Sequence, residues 1–181
     1  MSFDSAVAEK TARKRMEAGE TSSSFDRKAV EEEVRQWFFE EYYPRWVEVG
    51  NGTRDEGPEF ILEYWGRPMF ATHDEPEIAT WLKTDEEVMM FLTMQHNILK
   101  SEGFTHTYTP EEKVFVYNKN GAAVEGIWSR RRADESEVHR IVVHFELARM
   151  GGKWRVVGTQ TRMTDLAKDN NTVAGAWAQD D

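Results

Sequence analysis

Residues 138–162, VHRIVVHFELARMGGKWRVVGTQTR, carry an imidazole, an amide and a guanidinium in step with an apolar series. His139 stands at even intervals from Ile141, Val143 and Phe145, and Gln160 and Arg162 do so from Trp154 and Val156. Residues at even spacing in extended chain share a face, so these polar groups belong to the face that otherwise reads as core. A guanidinium and an amide there can hold a carbonyl or an oxyanion, and an imidazole can move a proton. His73-Asp74 sets an imidazole beside a carboxylate in a loop, a pairing suited to a general base. The catalytic candidates are therefore His73, Asp74 and His139. The ligand-binding candidates are Arg162, Gln160, Trp128, Arg130, His96, Trp65 and Tyr43. Each has a plainer reading: solvated strand ends for Arg130 and His139, a surface loop for His73-Asp74, and core packing for His96, Trp65 and Tyr43. With no cysteine, no HExxH, no Gly-rich phosphate loop and no nucleophile elbow, neither a metal nor a cofactor is expected.

The elements that must position these residues follow from periodicity. A helix is predicted from Asp26 to Tyr43 through Val30, Val34, Trp37 and Phe38, with Pro44 breaking it. FILEYWGRPMFAT predicts a helical turn and a short edge strand, because Gly66 and Pro68 suit a sheet margin. HDEPEIATWL reads as a loop and another short segment. Thr84 and Glu87 form a capping box that opens a second helix, with Val88, Phe91, Leu92, Gln95 and Leu99 as its apolar stripe and Gly103 as its stop. From Phe104 onward the pattern is strands: FTHTYT, KVFVYN, AAVEGIWSRRR, VHRIVVHFELARM and KWRVVGTQTRMT. Residues 1–24 read as a polar tail, 25–166 as one domain and 167–181 as a loose carboxyl-terminal tail.

A two-residue turn at Gly151-Gly152 sets a register. It predicts Leu147 opposite Val156, Phe145 opposite Gly158, Val143 opposite Gln160 and Ile141 opposite Arg162. The preceding hairpin pairs Arg130 with His139, Trp128 with Ile141 and Gly126 with Val143. The shared face then grades from apolar to polar toward one end, where a pocket mouth is expected, with Gly126 and Gly158 leaving room beside Trp128 and Phe145. The opposite face, with Arg140, His144, Glu146, Arg155, Thr159 and Thr161, reads as solvated or dimer-forming.

The chain of 181 residues can bury a substantial single core, with 39% apolar residues including seven Trp and ten Phe. A net charge of −10, from 33 acidic and 23 basic residues, disfavours nucleic acid and anionic membranes as partners. No apolar run approaches the roughly 20 residues of a membrane span. The first residues lack the apolar core of a secretory signal, and the absence of cysteine fits a reducing, cytoplasmic setting.

Helices followed by a long meander define an α+β layering. The order of elements, the AAVEGIW strand and the GGKWRVVGTQTR run resemble the nuclear transport factor 2-like superfamily over roughly Asp26 to Asp165. The resemblance implies a cone-shaped, curved antiparallel sheet wrapped around N-terminal helices, with a pocket in its mouth and usually a homodimer, here through the outer sheet face. Enzymes of that superfamily (SnoaL-like cyclases, ketosteroid isomerases, scytalone dehydratase, limonene epoxide hydrolase) usually hold an Asp or a His-Asp pair in the cone. In this chain the corresponding stretch, YWGRPMFATHD, has Arg67 or Pro68 near that place, and no Asp-Arg-Asp pattern is evident. Two functions fit. One is a small-molecule-binding cone acting as isomerase, cyclase, dehydratase or hydrolase on a mostly apolar carbonyl compound, by general acid/base chemistry. The other is a non-catalytic, dimeric ligand-binding or protein-interaction module.

Overall fold

The structure is a computed structural model that describes residues 25–74, 79–164 and 171–178, together with Lys10 and Arg13. The expected tail over residues 1–24 lies almost wholly outside the described residues.

Asp26 caps the first helix by accepting the amides of Lys28 and Ala29. Helix α1 (Arg27–Arg35) runs into a π-helical stretch, Gln36–Tyr42, and then into α2 (Tyr43–Asn51). Pro44 therefore does not end the helix as expected. It falls at the first turn of α2, directly after the π turn, whose wider winding, with the Tyr43 amide on the Phe38 carbonyl, accommodates the residue that has no N–H. The shift of phase turns Tyr42, Tyr43 and Trp46 all into the core.

A 3₁₀ turn (Pro58–Glu63) leads to β1 (Trp65–Thr72) and β2 (Ala79–Leu82). Helix α3 (Asp85–Ser101) starts at the predicted Thr84–Glu87 capping box and buries Val88, Leu92, His96 and Leu99. Strands β3 (His106–Tyr108), β4 (Glu112–Asn118), β5 (Gly121–Arg131), β6 (Glu137–Met150) and β7 (Lys153–Met163) follow. They form one seven-stranded sheet in the order β2-β1-β7-β6-β5-β3, with β4 also on β5. The layering is α+β, with the curved sheet around the N-terminal helices. The sheet is mixed rather than purely antiparallel, because β1 pairs in parallel with β7. Strand β1 is also not the edge: β2 takes that place. Its ladder to β7 is interrupted between Trp65 and Phe70, which is where Pro68 has no N–H to give.

The β5–β6 register follows expectation as far as Arg130: Gly126 faces Val143, Trp128 faces Ile141 and Arg130 faces His139, and past that point an irregularity brings Arg131, not Arg132, opposite Glu137. The β6–β7 register does so only as far as Leu147 opposite Val156. There β7 carries one extra residue, Val157, so that Glu146 faces Gly158, Val143 faces Thr161 and Val142 faces Arg162. A one-residue bulge exchanges the faces of everything beyond it. Thr159, Thr161 and Met163 turn inward, and Gln160 and Arg162 turn outward.

The carboxyl-terminal stretch is not loose throughout. Residues 173–177 form α4 (Val173–Trp177), capped by Thr172, and Val173 and Ala176 pack on Ile127 and Val142 of the outer sheet face.

Candidate functional site

The open end of the cone is a cleft of about 290 Å³ between α3, β5, β6 and β7. Its apolar wall is Phe91, Met94, Ile98 and Leu99 from α3 with Ile141 and Met163 from the sheet. Its polar groups are Gln95, Glu102, Arg130, His139, His73 and the hydroxyls of Thr72, Thr159 and Thr161. A smaller void of about 20 Å³ lies deeper, sharing Gln95, Arg130, Thr159 and Thr161 and closed by Tyr42, Trp46, Trp65, Trp128 and Phe145.

Arg130 is the centre of this arrangement. It is only 8% exposed, and its guanidinium lies 5.0 Å from the Trp46 ring centre and 5.8 Å from that of Trp128. Among the described residues no carboxylate pairs with it, and its Nε, buried, has no hydrogen-bond partner. Burial works against its charge, and the nearby Tyr43 and Tyr42 hydroxyls offset that in part. Tyr43 is held in turn by a stack on Trp128 at 4.3 Å and by a 2.8 Å bond from its hydroxyl to Thr107, and burial pushes its pKa up to about 12. Trp65 donates to the Tyr42 hydroxyl at 3.0 Å.

His139 stands opposite Arg130, with its Nε2 3.3 Å from Arg130 Nη1. A guanidinium only donates, so Nε2 is the acceptor and the ring proton sits on Nδ1, 4.0 Å from a Glu102 oxygen. Burial first, then the charges of Arg130 and His73, push the His139 pKa down to about 4. The ring is neutral at physiological pH.

The other candidates fall elsewhere. Arg162 and Gln160 do not line the cleft: the Val157 bulge puts them outside, where Arg162 donates to the Trp177 carbonyl at 3.1 Å and Gln160 is exposed opposite His144. His73 lines the rim, but Asp74 is exposed and its carboxylate accepts the Met163 amide at 2.8 Å, securing the end of β7. His96 lies on the far side of α3, edge-on to Trp46 at 4.6 Å and against Gly50. Neither glycine opens space either. The Phe70 ring lies over Gly158 on the outer face, and a methyl at Gly126 would sit 3.3 Å from the Glu111 carbonyl.

Thr159, Thr161, Met163, Gln95 and Glu102 were not singled out from sequence. No local signal in Val156-Val157-Gly158 marks the bulge, because the two valines are equally apolar and either could face the core.

A larger hollow of about 470 Å³ lies at the closed end, beside the β6–β7 turn. Two of its carboxylates are already engaged: Glu33 accepts from Trp154 Nε1 at 3.1 Å and from Arg149 at 2.6 Å, and Glu63 pairs with Arg45. Among the described residues no cluster of three or more His, Asp or Glu is arranged to hold a metal, and no helix is long and apolar enough to cross a membrane.

The model of a family described as NTF2-like protein (DUF6841) matches residues 31–164. No curated protein matches the chain. Solved structures with the same fold include an NTF2-like protein of unknown function from Pseudomonas putida, 16% identical, covering 77% of this chain and 90% of that one, with a TM-score of 0.55. The yeast UBP3-associated protein BRE5 is 9% identical, with 73% and 97% covered and a TM-score of 0.55. A putative calcium/calmodulin dependent protein kinase II association domain from Xanthomonas campestris is 12% identical, with 74% and 87% covered and a TM-score of 0.52.

Proposed function

Because this chain belongs to the NTF2-like protein family DUF6841, we propose that its cone is a small-molecule-binding site whose polar centre is Arg130. One observation carries the reading: a buried guanidinium without a carboxylate partner among the described residues lines the cleft, beside the Trp46 and Trp128 rings, the Tyr43 hydroxyl and the His139 imidazole. Burying an uncompensated charge is costly, and proteins keep such a group where a ligand completes it. The enzymatic form of this reading is isomerisation, cyclisation, dehydration or hydrolysis, with Arg130 stabilising developing oxyanion charge and His139 or His73 moving the proton. A non-catalytic binder is the second reading, and one observation favours it: the only lone pair of the neutral His139 ring is taken up by Arg130.

We further propose a homodimer through the outer sheet face. Phe115 and Tyr117 of β4 are 39% and 52% exposed there, beside the His144–Glu125 pair. The likeness to a protein described as an association domain supports assembly in general terms.

Native mass spectrometry of the gently purified full chain tests the binding reading. The wild type is expected to retain a small molecule, or to take one up from a metabolite extract, and Arg130→Met to do neither. Equal retention by the variant would refute the assignment of Arg130.

A further inference from the structure

The cleft also specifies the charge of its occupant. Arg130 carries a buried Nε without a hydrogen-bond partner and meets no carboxylate among the described residues, while its guanidinium also contacts the His139 ring and the Tyr43 hydroxyl. The wall opposite is apolar: Phe91, Met94, Ile98 and Leu99 of α3, with Ile141 and Met163. The rim is negative, because Glu102 caps the carboxyl end of α3, where the helix carbonyls also point.

Resting on the reading of the cleft as a ligand site, we infer that the ligand is an organic monocarboxylate, with its carboxylate on Arg130 and an apolar body along α3 toward the rim. A neutral carbonyl compound would leave the guanidinium charge uncompensated, whereas a carboxylate neutralises it and adds a charge-assisted bond. A dicarboxylate of similar length would bring its second charge to Glu102 and the end of α3, in a chain of net charge −10. A phosphate ester calls for more donors than one guanidinium, and the cleft lining includes no lysine. The Gln95 amide and the Thr159 and Thr161 hydroxyls, which share the inner chamber with Arg130, are placed to accept or donate to the rest of a polar head.

Isothermal titration calorimetry on the full chain with octanoate, 2-octanone and octanedioate tests this. Octanoate is expected to bind the wild type, at least about tenfold more tightly than octanedioate or the ketone. Arg130→Met should weaken octanoate by at least about tenfold and leave 2-octanone little changed. Ile98→Glu, at a half-exposed rim position where folding is not at stake, should weaken octanoate selectively. Octanoate binding unaltered in both variants, or octanedioate binding as tightly as octanoate, would overturn the monocarboxylate. If 2-octanone binds the wild type and octanoate does not, the carboxylate inference falls and the ligand site stands. If none of the probes binds and native mass spectrometry finds no retained molecule, both fall together.

Discussion

A guanidinium between two indoles is held by cation–π contacts, each worth about 1–2 kcal/mol when desolvated, against a desolvation cost of several kcal/mol. Arg130 is thus a poor contributor to stability, which separates its two possible roles. The Arg130→Met variant is expected to melt within a few degrees of the wild type, or higher, while losing ligand. A large fall in Tm by calorimetry would instead make Arg130 a structural residue. His96 shows the opposite case. It is packed between Trp46 and Gly50, its Nε2 has no partner, and burial, then Arg130, pushes its pKa down to about 4. His139 has the same depressed value. Between the ordinary histidine pKa near 6.5 and about 4, the unfolded chain binds more protons than the folded one, so stability is fully present above about 6.5 and is lost as pH falls toward 4. The Tm of His96→Phe should therefore depend less on pH than that of the wild type across this window. Parallel Tm–pH curves would contradict the assignment. His96 was readable as a helix residue, but which side of α3 it took was not, because Gln95 and His96 flank the same boundary of the apolar stripe.

At the scale of elements, the decisive feature is one extra residue in β7. The capping box, most of the β5–β6 register and the β5–β6–β7 meander were legible from sequence, since each depends on local turn chemistry or on alternation, whereas the internal, parallel place of β1 was not. The Val157 bulge was not, because the Gly151-Gly152 turn fixes the register only up to the first irregularity, and Val156 and Val157 are equally apolar. Arg162 and Gln160 are consequently expected inside and Thr159 and Thr161 outside, the reverse of the structure. Arg130 and His139 still share the inner face at the cleft, because the β5–β6 pairing is regular up to them and shifts only past Arg130. Deleting Val157 would restore the simple register and drive Arg162 into the cone and Thr159 out. A fall in Tm of about 10 °C or more, or failure to fold, is expected. A deletion variant with unchanged Tm would mean that the bulge does not set the inner face. The π turn before Pro44 escaped sequence reading for a similar reason: Pro44 marks a helix boundary in general, and only packing of Tyr42, Tyr43 and Trp46 reveals that the helix passes through it.

For the molecule as a whole, one end of the cone is sealed by Glu33, Arg149 and Trp154, and the other opens onto Arg130. The outer sheet face is divided between α4, which covers Ile127 and Val142, and the aromatic pair on β4 proposed as a dimer contact. Tyr117→Lys should shift the mass measured by light scattering from dimer toward monomer without changing ligand uptake. A wild type that is monomeric at all concentrations would dispose of that contact. The central claim, that small molecules enter the cone and meet Arg130, is tested most directly by nuclear magnetic resonance of side-chain N–H groups during a titration with octanoate. The Arg130 Nε–H and the Trp46 and Trp128 indole signals are predicted to shift and saturate together, with Trp37 and Trp154 beside the closed-end hollow unmoved. Shifts confined to Trp37 and Trp154, with Arg130 unchanged, would contradict it.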